Sequence, residues 1–233
     1  MQKKLMFVAL AALSASSWAS GAVVSGWSFE ALTLPNTPGT TPPAPSAGSF
    51  LSDTGNGTMS GTHASAATVW STPAGNGTAK ALSSNNWGVG DYYEFTSDLT
   101  GFEDVIVTFD QTGSGTGPRD FKLQYSSTGI AGPYIDAGSY ALTLITFNAV
   151  TGVNTTPPRF LLYLSAITAL DDNANAAFRI TTTSAVSING AAVGTGGTGR
   201  IDTVLVEASE IPEPGTLALA GMASAGLLIR RRK

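Results

Sequence analysis

Between about residues 23 and 210, apolar side chains recur at every second position over runs of five to eight residues, and each run is closed by Gly, Pro, Asn or Asp. That period sends successive side chains to opposite faces and marks half-buried antiparallel strands. Val23 to Leu32 opens the series, with Trp27 and Phe29 available to a core. In Asn85 to Thr96, Tyr93 and Phe95 share one face while Asp91, Tyr92, Glu94 and Thr96 are interleaved. Glu103 to Asp110 puts Val105, Val107 and Phe109 on one side, and Phe121 to Ser126 does the same with Phe121, Leu123 and Tyr125. The Gly-rich residues 111–119 between these two runs predict a hairpin. Further strands are expected over 140–148, 159–165, 177–183 and 200–208. In 159–165 both phases are apolar, which predicts a central strand covered on both faces; Phe178 and Ile180 alternate with Arg179 and Thr181, which predicts one wet face.

Nowhere in this body does a 3.6-residue apolar period persist, so no helix is available to join parallel neighbours. Eight to ten short strands on these terms specify an all-β chain, an antiparallel two-sheet sandwich of the jelly-roll or lectin-like kind. Leu34 to Gly48 carries Pro35, Pro38, Pro42, Pro43 and Pro45, which lack backbone donors and read as a surface loop. Gly55-Asn56-Gly57-Thr58 and Gly75-Asn76-Gly77-Thr78 predict two tight turns, because Asn-Gly accepts positive φ.

The two ends depart from this pattern. Residues 1–22 read as a signal peptide: Lys3 and Lys4 precede an apolar run from Leu5 to Leu13, and small residues follow, with cleavage expected after Ala22 or Ala19. Residues 211–233 fall into three parts. Pro212, Glu213 and Pro214 form an extended elbow. Thr216 to Ile229 runs without a charge, its apolar surface carried by Leu217, Leu219, Leu227, Leu228 and Ile229, and predicts a short transmembrane helix. Arg230, Arg231, Arg232 and Lys233 close the chain and hold its end on the cytoplasmic side. Residues 23–210 are then the ectodomain.

Removing the ends changes the charge picture. The body holds six Lys and Arg against fifteen Asp and Glu, a net charge of −9. Such a surface repels phosphate backbones, which argues against nucleic acid as a partner. The chain contains no Cys, which excludes disulfides, thiolate metal sites and a Cys nucleophile.

The ordered triplet of Pro-Glu-Pro, short apolar helix and terminal Arg cluster resembles the PEP-CTERM sorting signal of exported proteins in Gram-negative bacteria that make exopolysaccharide. The resemblance implies that exosortase, a membrane enzyme with a cysteine nucleophile, reads the tail and processes the chain near Pro212, Glu213 and Pro214. It also implies transient anchoring in the inner membrane and delivery to the cell surface or extracellular matrix. Gly215 and Thr216 stand where the commonest family sequence has Ser-Thr. The stretch from Trp87 to Gly129, with F-D-x-x-x-S-G-T-G-P and L-x-Y-S-S-x-G, is similar to the jelly-roll-like body domain of many such proteins.

Chemistry in the body is sparse. His63 is the sole histidine and sits in a polar stretch, so it is expected on the surface, with no multi-His metal site and no ordinary Ser-His-Asp arrangement. Gly194 to Gly199 satisfies G-x-G-x-x-G but leads into a strand, not a helix, and reads as a turn. The expectation is a non-enzymatic body without a cofactor. Two alternatives keep named residues: exopolysaccharide contacts through Trp70, Trp87, Tyr92 or Tyr93, and a calcium loop offering oxygens at Asp171, Asn173 and Asn175. A glycan hydrolase ranks last, since no pair of carboxylates can be assigned to one groove.

Overall fold

The computed structural model describes residues 21–155 and 158–212. The signal peptide up to residue 20 and the tail from 213 onward, with the expected transmembrane helix and basic end, lie outside the described residues.

The chain runs through β1 (Ala22–Trp27), β2 (Thr54–Gly55), β3 (Met59–Thr62), β4 (Trp70–Ser71), β5 (Leu82–Ser84) and β6 (Tyr92–Ser97). It continues with β7 (Phe102–Gly113), β8 (Asp120–Ser126), β9 (Ile135–Ala141), β10 (Arg159–Tyr163), β11 (Ala176–Thr182) and β12 (Gly199–Glu210). Among the described residues one 3-10 turn, Thr168–Leu170, precedes β11. All pairings are antiparallel and fall into two sheets. The seven-stranded sheet has the order β10-β7-β12-β1-β2, with β5 and β4 attached through β12; the five-stranded sheet has the order β3-β6-β11-β8-β9. This is the all-β two-sheet sandwich that the alternation predicts.

β12 is the spine of the larger sheet. Its first residues pair with β5 (Ile201 with Leu82) and its later ones with β1 (Val204 with Trp27), while β7 runs along its other side from Gly113 to Phe102. The change of partner coincides with a bulge between Asp202 and Leu205, where Thr203 takes a positive φ of 46°. Between the sheets lie Phe95, Phe178, Ile180, Phe121 and Leu123 from one side, and Val107, Phe109, Ile201, Val204 and Val206 from the other. Each is the inward member of its alternation. At about 25 cal/mol per Å2, every fully buried aromatic or branched side chain contributes about 1.5–3 kcal/mol.

Four elements differ from the sequence expectation. β7 and β8 are not a hairpin: they belong to opposite sheets, so Val105, Val107 and Phe109 face Phe121, Leu123 and Tyr125 across the core, not along a ladder. A strand forms at Ile135–Ala141 and not over 140–148; Leu142 and Phe147 are buried by folding across neighbouring strands, with Leu142 N donating to Arg119 O. β10 is the edge of its sheet and not its centre, and Leu161 and Tyr163 are 48% and 69% exposed. Neither Asn-Gly pair joins two named strands as a hairpin, although Gly75 N donates to Thr78 O across Asn76 and Gly77. Positive φ falls on Gly55 in the first copy and Gly77 in the second, while neither Asn takes it. The first loop is closed more widely, by Ser52 N to Gly57 O and the Leu51–Thr58 bridge.

Candidate functional site

Of the four aromatic residues that the carbohydrate-binding alternative names, three are core. Trp70 and Tyr93 have no exposure and Trp87 retains 6%, so none offers a ring face to a sugar. The reason is packing: Trp70 stands edge-on to Tyr93 at 6.1 Å, and Trp87 stands edge-on to Tyr93 at 5.1 Å and Phe121 at 5.7 Å. The indole N–H groups are satisfied within the fold, by Gly39 O for Trp70 and Ser84 O for Trp87.

His63 fills the space between the two indoles, 4.8 Å from Trp70 and 4.2 Å from Trp87, and is 1% exposed, contrary to its expected place on the surface. Its Nε2 faces Ser84 Oγ at 3.3 Å; its Nδ1 lies 3.2 Å from Thr68 Oγ1 and 3.4 Å from Asp91 Oδ2. The three residues reproduce the order of a hydrolytic triad, which sequence alone does not reveal. Ser84, however, is 1% exposed and also engages the Tyr93 hydroxyl at 3.1 Å, so its oxygen cannot meet a substrate. Burial pushes His63 down to about 4, partly offset by Asp91, so the imidazole is neutral and works as a polar link inside the core.

Only Tyr92 among the four faces outward, and the outer face of the five-stranded sheet is built around it. Register places Thr62, Tyr92, Thr181 and Lys122 in one row across β3, β6, β11 and β8. The next row holds Ser60, Glu94, Arg179 and Gln124, and extends to Asp136 on β9. The Arg179 guanidinium lies 4.0 Å from the Tyr92 ring centre and 3.8 Å from that of Tyr134, between two aromatic rings. Glu94 ties the group together: it accepts from Arg179 Nε at 2.7 Å, from the Tyr134 hydroxyl at 2.8 Å and from Ser60 at 3.1 Å. Alongside, Thr181 donates to Gln124, Gln124 donates to Asp136, and Lys122 pairs with Asp136 at 2.9 Å. Burial, then Glu94, hold the Tyr134 hydroxyl well above its ordinary pKa, so it stays a donor. Arg179 was legible as the wet face of its strand; Tyr134 was not, because it precedes β9 in a Gly-Pro-Tyr loop that carries no periodicity.

One end of the opposite outer face is polar and covered, while farther along it Leu161, Tyr163 and Val23 are exposed. Asp110 and Asp202 are cross-strand partners with no exposure, on the side of β7 away from Phe109. Arg159 clamps Asp110 through Nε at 2.7 Å and Nη2 at 2.9 Å. Asn76, from the second Asn-Gly copy, donates its side-chain amide to Asp110 and its backbone N–H to Asp202. The loops at 73–80 and 147–153 cover these carboxylates, which gives the pair no groove for substrate.

In the 171–175 loop, Asn173 spends its amide on Ser127 O and Ala169 O, and its Oδ1 accepts Asn175 N at 2.7 Å. Asp172 Oδ1 accepts Gly101 N. Gly194 to Gly199 closes as a turn, with Gly197 N donating to Gly194 O, and delivers the chain into β12.

Strand β12 ends at Glu210, and Ile211 N still donates to Gly101 O before the exposed Pro212. Residues 210–233 match the model of the PEP-CTERM protein-sorting motif. The protein is thus a β-sandwich that carries a PEP-CTERM sorting motif at its C-terminal end. No curated protein matches the chain. Among solved structures, it is similar to the N-terminal CBM22-1 and GH10 modules of Clostridium thermocellum endo-1,4-beta-D-xylanase 10B, at 12% identity and TM-score 0.45. That likeness covers 82% of this chain and 29% of the other. The CBM22-1 xylan-binding domain of Paenibacillus barcinonensis Xyn10C is similar at 10% identity and TM-score 0.42, over 83% of this chain and 98% of that one. The K3 cleaved adhesin domain of Lys-gingipain from Porphyromonas gingivalis is similar at 15% identity and TM-score 0.34, over 55% and 73%.

Proposed function

We propose that this protein is an exported exosortase substrate, displayed at the cell surface or in the exopolysaccharide matrix of a Gram-negative bacterium, with a non-catalytic body. Residues 1–22 direct export. Residues 23–210 form the ectodomain. Residues 211–233 hold the chain in the inner membrane through Leu217 to Ile229, with Arg230 to Lys233 in the cytoplasm, until processing near Pro212, Glu213 and Pro214. The observation that carries this reading is the match of the sorting motif at 210–233, directly after the last strand of the body. The closed environments of Ser84 and of the Asp110–Asp202 pair support a body without catalysis. Intact mass spectrometry of the protein from cells with and without exosortase activity tests it. A mass lacking the segment beyond the Pro-Glu-Pro, seen only with active enzyme, is expected; a tail retained through Lys233 in both would make the segment a plain anchor.

A second reading, that the body is a carbohydrate-binding module, is supported by the outward Tyr92, Arg179 and Tyr134 cluster.

A further inference from the structure

Whatever the outer face of the five-stranded sheet does, it is electrically unlike the rest of the body. The ectodomain carries −9, yet on this face Glu94 is matched by Arg179 and Asp136 by Lys122. What remains for a partner is a set of neutral groups, namely the hydroxyls of Thr62 and Tyr92 and the acceptor oxygen of exposed Ser60, with the half-exposed amide of Gln124 among them, beside two half-buried aromatic rings; Thr181 lies buried beneath its bond to Gln124.

We infer that this face binds an uncharged polysaccharide, with Tyr92, Tyr134 and Arg179 at its centre; the inference rests on the carbohydrate-binding reading of the body. Three arguments support it. The first is chemical. A sugar ring presents hydroxyls that both donate and accept along its edge and C–H groups on its faces, which suits hydroxyls and an amide arrayed beside aromatic surface. A short peptide strand would instead need an open ladder edge, and the rows in question lie on the face of the sheet, not at its rim.

The second is order before binding. Arg179 is fixed between two rings and held by Glu94, and Glu94 in turn takes Tyr134 and Ser60. Side chains already immobilised lose little further entropy when a ligand arrives, and immobilisation otherwise costs about 0.5–1.5 kcal/mol for each flexible side chain. The five strands span about 19 Å at the usual ~4.8 Å spacing, a platform suited to a run of several sugar units and not to a single one.

The third is selection by charge. A uronate or sulfate on the glycan would have to compete with Glu94 for Arg179 or with Asp136 for Lys122, and would approach a body of net −9. An uncharged chain meets neither obstacle.

The experiment is affinity electrophoresis of the full chain in non-ionic detergent. Gels contain galactomannan, hydroxyethylcellulose or soluble starch as neutral polymers, or alginate as an anionic one. Retardation in at least one neutral gel and free migration in alginate are expected. Tyr92→Ala and Tyr134→Ala should each weaken retardation about tenfold. Gln124→Ala and Thr62→Ala, both partly exposed on this face, should weaken it a few-fold while leaving the near-ultraviolet circular dichroism unchanged; they decide the matter if either tyrosine variant loses its fold. Retardation that survives all four substitutions would overturn the site while the carbohydrate-binding reading stands. Migration unchanged in every gel would overturn that reading itself. Retardation confined to alginate would overturn the neutral class.

Discussion

Asp110 and Asp202 face one another across β7 and β12, equally buried, but only Asp110 is clamped by a cation, Arg159. Asp202 is held by neutral donors: Asn76 N, the Thr78 hydroxyl and Thr203 N. Burial, together with the neighbouring Asp110, pushes Asp202 up to about 6, against the hydrogen bonds that lower it.

Asp202 and His63 respond to acid in opposite directions. Asp202 binds its proton more readily folded than unfolded, so its contribution to stability is present below about 3.8 and is lost as pH rises through about 6. His63 is the reverse: its folded pKa of about 4 lies below the ordinary 6.5, so its contribution is complete above that value and is lost as pH falls toward 4. Each is worth up to about 3 kcal/mol. Urea unfolding of the parent chain should change little between pH 7 and 5, whereas His63→Gln should become more stable as the pH is lowered over the same interval. A His63→Gln protein that instead loses stability on acidification would refute the Asp202 assignment.

Arg159→Met is expected to destabilise the fold by about 3–5 kcal/mol, because Asp110 would remain as a buried carboxylate without its cation. Lys122→Met, which breaks an exposed pair with Asp136, should cost less than about 1 kcal/mol. The two variants compared by denaturant titration separate the buried clamp from a surface ion pair.

Trp70 is walled in by His63 and Tyr93, so Trp70→Ala should cost about 3–5 kcal/mol through cavity formation. Trp70→Phe should fold, with a lower melting temperature. A Trp70→Phe protein of unaltered stability would show that the indole bond to Gly39 O contributes nothing measurable.

Gly55 has φ of +73°, and a Cβ there would lie 1.6 Å from Val24 O, inside the backbone of β1. Gly90 has φ of +92° with nothing within 4 Å of such an atom. Gly90→Ala should therefore cost about 1 kcal/mol, the conformational term alone, and Gly55→Ala several times more, because β1 must move. Equal melting temperatures would contradict that placement.

Calcium is expected to leave the melting temperature unchanged, since a cation at Asp171, Asn173 and Asn175 would have to displace the Asn173–Asn175 bond and face an Asp172 carboxylate turned to Gly101. Calorimetry in calcium and in EDTA reads this directly; a rise of several degrees with calcium would establish the loop as a metal site.

Legibility in the sequence followed the reach of each signal. Alternation at Tyr93–Phe95 and Phe121–Tyr125 reports which side of a strand is dry, and those residues are buried as expected. It does not report which strand lies beside which, so β7 and β8 read as a hairpin although they face each other across the core. At Arg159 to Tyr163 two apolar phases suggested a central strand, but exposed Leu161 and Tyr163 occupy an edge, a position that periodicity cannot encode. In the candidate site, Tyr92 and Arg179 could be placed on the wet side of their strands. Tyr134 joins them only through a loop, and His63 gains Ser84 and Asp91 only when β5 and the turn before β6 close around it. Contacts between segments that distant leave no local trace.

The central position of β12 has a mechanical consequence. A load applied at Ile211 and directed along the strand would act on β12, which is bonded on one side to β7 for its length and on the other to β5 and β1. Ladder bonds run across the strands, so such a load shears many of them at once, whereas a strand at the rim would peel one bond at a time. Single-molecule extension between Ile211 and a handle in the 114–117 loop, at the far end of β7, should give a high rupture force, and a low one would mean that the spine frays under load; pulling from Ala22, which pairs with Ala208, would instead unzip β1. A body whose chain leaves from its middle strand spreads such a load over two ladders, which an edge strand could not do.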